Sequence, residues 1–380
     1  MKKTVVLCFI HGFKGGESTF GDEHRFTQHL QAAVAHKLPK AQVQVLVYPK
    51  YETRGDLGQC VRRFRSWLED KVIDMEVAAG TPSPTVDGSV RTVLVGHSMG
   101  GIVAAEAAIG LASDKPVGSG QGGFNGLMFP FIQGVLAFDT PYLGIAPGVV
   151  AHGAESQYKS ASAALSQLSG LGAAVWGDGS SSASGASRAA LPAAPRASQD
   201  ASQAAASDEP SNKPSASPWA SWGKLAVAAG AAGAVAAAWA NRERLATGWN
   251  WASSHLEFVG CLARAQELKE RLVCMSRLSD ELDMGFANFY TMLGPAAAQR
   301  QATVSGTVLG PQRTFCNLPK AATAPAWRPA VNHAASDEPS AHMNMFDAGK
   351  NPAYQELVQD AAALVAQWLQ NDWYQSSSTT

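Results

Sequence analysis

One serine in this chain stands between two glycines at the spacing a nucleophile needs. The stretch RTVLVGHSMGGIVAAEAA, Arg91 to Ala108, reads Gly96, His97, Ser98, Met99, Gly100, a G-x-S-x-G pattern. With 36 glycines in 380 residues the pentapeptide could arise by chance, so its flanks must carry the reading. Thr92 to Val95 is a β-branched and leucine run, as in a buried strand, while Ile102 to Ala108 is rich in small helix formers. Strand, serine, helix predicts a tight turn that exposes the hydroxyl and aims a helix amino terminus at any developing negative charge. Gly96 and Gly100 fit where a Cβ would collide. The alternative is a serine in an ordinary turn.

A serine hydroxyl is a poor nucleophile until a base takes its proton and a third group orients that base. Behind a strand–serine–helix turn the acid and then the histidine follow in the chain, which restricts the base to late histidines. His342 and His333 both lie after the last expected strand; His342 is favoured because it stands closer to the closing helix. For the acid, Asp139 is the first residue past the apolar run GVLAF, Gly134 to Phe138, with Asp280, Glu281 and Asp283 as weaker candidates. Asp139 could instead simply open the Thr-Pro turn that follows it. The oxyanion donors are expected from the residue after the serine, Met99, and from the loop IHGFKGG, where Phe13 supplies an N–H. His11 and Gly12 shape that loop, and His97 with the elbow glycines supports the turn. No residue group has metal-ligand spacing, and no cofactor motif is present.

These groups require a scaffold of strands whose carboxyl ends lie together. Val5 to Ile10 and Val43 to Pro49 read as strands. Phe26, Leu30, Val34 and Leu38 mark one face of a helix, and Leu57 to Met75 keep a helical period with Asp56 as cap. The alternation predicts an α/β fold: a mostly parallel sheet with helices on both faces. Later, SSHLEFVGCLARAQELKERLVCMSRL reads as a helix opened by a Ser254/Glu257 capping box, FANFYTMLG and RTFCNL as two strands, and YQELVQDAAALVAQWL as the closing helix. The core is thus expected at 1–145 and 253–380, split by an insertion at 146–252.

That insertion is dominated by Ala, Ser, Gly, Pro and Asp, and 176–218 is expected to be disordered because it cannot bury enough apolar surface. Within it, 219–240 is almost free of charge. Leu225 to Ala240 amounts to 16 residues, short of a ~30 Å hydrocarbon layer at ~1.5 Å per residue. Two readings stand: an alanine-rich helix of a soluble lid, or a membrane contact with Trp222 and Trp239 at its ends.

Composition bounds the rest. A net charge of −1, with no basic cluster, argues against a nucleic-acid partner. Five widely spaced cysteines read as reduced core residues. The start MKKTVVLCFIHGFKGG has too short an apolar run for a signal peptide, so an intracellular, cytoplasmic location is expected. Oligomeric state leaves no trace in the sequence.

The segments VVLCFIHGF, VGHSMGGIVA and AFDTPYLG together resemble the α/β-hydrolases of the lipase and serine-esterase type, in particular fungal lipase-like hydrolases distantly related to the GPI inositol deacylases. The resemblance covers 1–145, and 253–370 through SSHLEFVGCLAR, NFYTMLG and AHMNMF. It implies the α/β-hydrolase fold with a lid between the sixth and seventh strands of the usual numbering. It also implies cofactor-free hydrolysis of an ester or lipid ester by Ser98, His342 and an acid. Pancreatic-type lipases carry their acid in a turn similar to AFDTP, whereas the inositol deacylases have glycine where Asp139 stands. A thioesterase using the same triad, or a membrane-associated scaffold with a hydrolase shell, are the alternative functions.

Overall fold

The computed structural model describes residues 2–13, 15–51, 56–114, 123–146, 149, 260–294, 313–319 and 326–378. Apart from Ala146 and Val149, the insertion expected at 146–252 lies outside the described residues, and so do its apolar stretch 219–240 and the Ser254/Glu257 capping box.

A six-stranded sheet runs in the order β2-β1-β3-β4-β5-β6, and every neighbouring pair is parallel. Its strands are β1 (Lys3–Ile10), β2 (Ala41–Val47), β3 (Val90–His97), β4 (Ile132–Phe138), β5 (Gly285–Leu293) and β6 (Trp327–Asn332). The helices that position the site are α1 (Arg25–Lys37), α2 (Leu57–Ala79), α3 (Met99–Ser113), α4 (Ala265–Leu282), the short α5 (Glu338–Met343) and α6 (Tyr354–Leu369).

Alternation along the strands sorts the core into two layers. Val6, Cys8 and Ile10 of β1 join Phe64 and Leu68 of α2, much of α3, and Met275 of α4. Val5, Leu7 and Phe9 face the other way, onto Phe26, Leu30 and Val34 of α1 and Leu357, Ala361 and Val365 of α6. This is the α/β sheet with helices on both faces that the alternating pattern predicts. Asp56 caps α2, accepting from the N–H groups of Gly58 and Gln59 at 3.1 Å each. Among the described residues no helix is long and apolar enough to cross a membrane. All five cysteines are free, and all but the half-buried Cys274 are buried.

Two expected elements differ. RTFCNL, 313–318, is not a strand: it makes only isolated antiparallel bridges, Thr314 to Met292 and Cys316 to Ile145. The sixth strand is instead WRPAVN, 327–332. Among the described residues it is an edge strand, where Pro329 is tolerated because no described strand needs an N–H on its other side. Of the helix expected from Ser254, the part before Gly260 lies outside the described residues; Cys261–Ala263 form a 3-10 turn, and the α-helix that follows begins at Ala265.

Candidate active site

At the carboxyl edge of the sheet, two adjacent central strands each end in a residue with positive φ. Ser98 follows β3 with φ 55° and ψ −127°, and Asp139 follows β4 with φ 48°. Such dihedrals are strained for a residue bearing a Cβ and persist only where the surroundings dictate them. The ladder does so here: Ser98 N donates to the Phe138 carbonyl at 2.9 Å, and Asp139 N to the Phe289 carbonyl at 2.6 Å.

Close backbone packing around Ser98 explains the glycines. A Cβ on Gly96 would run into the backbone of Gly101, and one on Gly100 into the carbonyl oxygen of Ile10. Gly12, in the loop after β1, lies so near the elbow that a Cβ there would sit 2.7 Å from Ser98 Cβ and 3.3 Å from Met99 N. The loop that carries Phe13 is thereby held against the first turn of α3, whose leading N–H groups have no partner within the helix. Phe13 itself is half-buried and packs against the core, and Met99 is buried.

Asp139 is fully buried and accepts four hydrogen bonds. His342 Nδ1 lies 2.7 Å from Oδ2, Thr291 Oγ1 donates to Oδ2 at 2.5 Å, Thr291 N donates to Oδ1 at 2.9 Å, and Cys316 Sγ donates to Oδ1 at 3.5 Å. Burial alone would push the carboxyl pKa up, but the bonds from His342 and Thr291 outweigh it and hold the group below its ordinary value. An ionised acceptor fixes the proton of His342 on Nδ1, leaving a lone pair on Nε2. Burial, together with the charge and hydrogen bond of Asp139, drives the Cys316 thiol well above its usual range, so it stays a donor.

The imidazole of His342 is sandwiched. Phe315 stacks on it with ring centroids 3.7 Å apart and planes 14° apart, and His97 stacks at 4.5 Å and 28°. Phe315 and His97 make no ring contact with each other, so they occupy opposite faces. His97 is itself buried, and burial, reinforced by the neighbouring His342, pulls its pKa from 6.5 to about 3. The ring beside Ser98 is therefore neutral.

His342 thus reaches the elbow through His97, the residue preceding Ser98. Ser98 Oγ makes no hydrogen bond to any described residue, and such contacts are commonly long before substrate arrives. His11 is buried behind the loop, its carbonyl accepting from Tyr51 Oη at 2.7 Å and its ring stacked on that tyrosine. The rival candidates stand elsewhere. His333 is exposed just past β6, and Asp280, Glu281 and Asp283 are exposed where α4 ends ahead of β5, at the opposite edge of the sheet. Thr291, Phe315 and Cys316 escaped the sequence reading, as did Asn288, whose side-chain amide exchanges hydrogen bonds with both backbone groups of Thr140 at 3.1 and 2.9 Å. The only signal for the β5 pair was polar residues at 288 and 291 inside an otherwise buried strand.

Residues 1–170 match the model of the family described as "Putative serine esterase (DUF676)". No curated protein matches the chain. Among solved structures, phospholipase PlaB from Legionella pneumophila aligns at 16% identity and a TM-score of 0.26, covering 38% of this chain and 26% of that one. Its complex with thio-NAD aligns at 15% and 0.26, covering 37% and 26%. The chain spans about a quarter of that enzyme's length. Ser98, strained at the turn between β3 and α3, lies within the segment that the family model matches.

Proposed function

We propose that the protein hydrolyses carboxylic esters, with lipid esters as the substrate class, through an acyl-enzyme on Ser98. The observation that carries this reading is the buried Asp139–His342 pair at 2.7 Å, one strand away from a serine with φ 55°. Ser98 Oγ attacks the ester carbonyl carbon while His342 Nε2 takes its proton. The carbonyl oxygen becomes an anion held by the N–H groups of Met99 and Phe13 at the head of α3. The intermediate collapses, the C–O bond to the alcohol breaks, and the leaving oxygen takes the proton from His342. Water then attacks the acyl carbon, giving its proton to His342, and release of the acid returns that proton to Ser98. Throughout, Asp139 stays ionised and fixes the tautomer that keeps Nε2 basic.

Preference for acyl chains rests on the apolar stretch 219–240 of the sequence, which would also contact a membrane. The test is a panel of p-nitrophenyl esters from acetate to palmitate, with the matching thioesters, on the wild type, Ser98→Ala and Asp139→Asn. Turnover that is absent in Ser98→Ala and falls on the order of 10⁴-fold in kcat in Asp139→Asn supports the reading. Turnover that survives in Ser98→Ala contradicts it, and a preference for thioesters would replace the ester class.

A further inference from the structure

A cavity of about 250 Å³ opens beside the loop after β1, and none of Ser98, Asp139 and His342 lines it. Its walls are Phe20, Val47 and Tyr48, and its polar groups are His11, His24 and Lys50. Two of those carry orphaned atoms. Nε2 of His11 and Nδ1 of His24 are buried without a hydrogen-bond partner, and His11 as a whole is 3% exposed. An orphaned buried polar atom is costly unless something completes it.

The protonation of His11 follows from its other nitrogen. Nδ1 lies 2.9 Å from the Gly12 carbonyl oxygen, which can only accept, so the proton sits on Nδ1 and Nε2 offers a lone pair. Tyr51 fixes the ring, stacked at 4.4 Å between centroids. Burial first, and the charge of Lys50 in addition, hold the imidazole below its ordinary pKa and therefore neutral, although its bond to Gly12 works the other way. The lysine stem passes over the same loop: a Cβ on Gly16 would meet Lys50 Cδ at 3.8 Å. Among the described residues lining the cavity there is no carboxylate.

A cavity that combines a neutral proton acceptor, a second unpartnered imidazole nitrogen and an ammonium selects a ligand with an O–H donor and an anionic oxygen on one small group. We propose that it binds a phosphoryl group bearing a P–OH, as inorganic phosphate or a phosphate monoester. The P–OH donates to His11 Nε2, and the anionic oxygens face Lys50 and His24. Sulfate has the same size and charge but no proton to donate at neutral pH, and a site built around a hydrogen bond rejects the analogue that lacks it.

The experiment is calorimetric titration of the full-length Ser98→Ala protein at pH 7 with inorganic phosphate, glycerol phosphate and sulfate. It is accompanied by flotation with phosphatidylcholine vesicles with and without phosphatidic acid. Phosphate or glycerol phosphate binding tenfold or more tightly than sulfate is expected. Lys50→Met and His24→Phe, each checked for an unchanged melting temperature, weaken binding by a similar factor. Binding of the free anions alone assigns the site to a soluble phosphate. Flotation that depends on phosphatidic acid and on Lys50 assigns it to a lipid headgroup, and either result upholds the phosphoryl site. Equal affinity for sulfate, no saturation by any of the probes, or variants that bind like the parent would overturn it. None of these readouts depends on turnover, so failure here leaves the ester-hydrolase reading untouched.

Discussion

The guanidinium of Arg313 forks onto the carboxylate of Glu338, Nε to Oε1 at 2.7 Å and Nη2 to Oε2 at 2.5 Å, with both side chains almost fully buried. The pair joins the two pieces that hold His342. Arg313 stands two residues before Phe315, which stacks on His342, and Glu338 opens α5, which carries His342. Removing one partner leaves a buried charge unpaired, whereas replacing both leaves none. Arg313→Met is therefore expected to cost about 3–5 kcal/mol in denaturant unfolding, and the double variant Arg313→Met/Glu338→Leu to recover most of it. A single variant within about 1 kcal/mol of wild type would show that the tie lies elsewhere.

The elbow depends on backbones approaching where no side chain fits. Gly100→Ala puts a Cβ inside contact distance of the Ile10 carbonyl, and the strand or the turn must shift. A displacement of about 1 Å at the nucleophile is worth roughly 100-fold in rate, so ester turnover is expected to fall by at least that factor. Gly80→Ala is the control. Its φ of 68° makes alanine strained there, but nothing lies within 4 Å, so it is expected to lower stability by about 1 kcal/mol and leave turnover unchanged. Equal turnover in both variants would contradict the packing account.

Stability should also report the neutral ring beside the serine. The unfolded chain protonates His97 near 6.5, but the folded one only near pH 3. Between those values the unfolded state binds the extra proton, so stability is fully present above pH 6.5 and is lost as pH falls toward 3, by up to about 1.4 kcal/mol per pH unit. Asp139, whose folded pKa is also depressed, acts in the same direction but only below its ordinary 3.8. Urea unfolding of His97→Phe between pH 4.5 and 6.5 should show a flatter pH dependence than wild type, with a residual slope from His11. An unchanged slope would mean that His97 is not held neutral by the fold.

How far the sequence revealed this arrangement depended on whether a residue announces its role locally. Strands β1, β3 and β4 are apolar runs buried on both faces, and the G-x-S-x-G pattern with its strand and helix flanks lies within one short stretch. Those were legible. The support of the Asp–His pair was not, because it is assembled from residues far apart in the chain. Thr291 is 152 residues from Asp139 and Cys316 is 177 away. RTFCNL looks like a strand because Thr, Phe and Cys favour extended backbone, yet its two bridges go to different partners. WRPAVN carries a proline, which argues against a central strand, a rule that does not govern an edge.

The central claim is that Ser98 is activated by a histidine that Asp139 orients, and active-site labelling tests it most directly. Purified protein would be treated with a fluorophosphonate probe as wild type, Ser98→Ala, His342→Ala and Asp139→Asn, each shown to be folded by its melting curve. The account predicts rapid labelling of the wild type on the Ser98 peptide, none in Ser98→Ala, and labelling slowed by orders of magnitude in His342→Ala and Asp139→Asn. Labelling that persists in Ser98→Ala, or runs at the wild-type rate without His342, would contradict it.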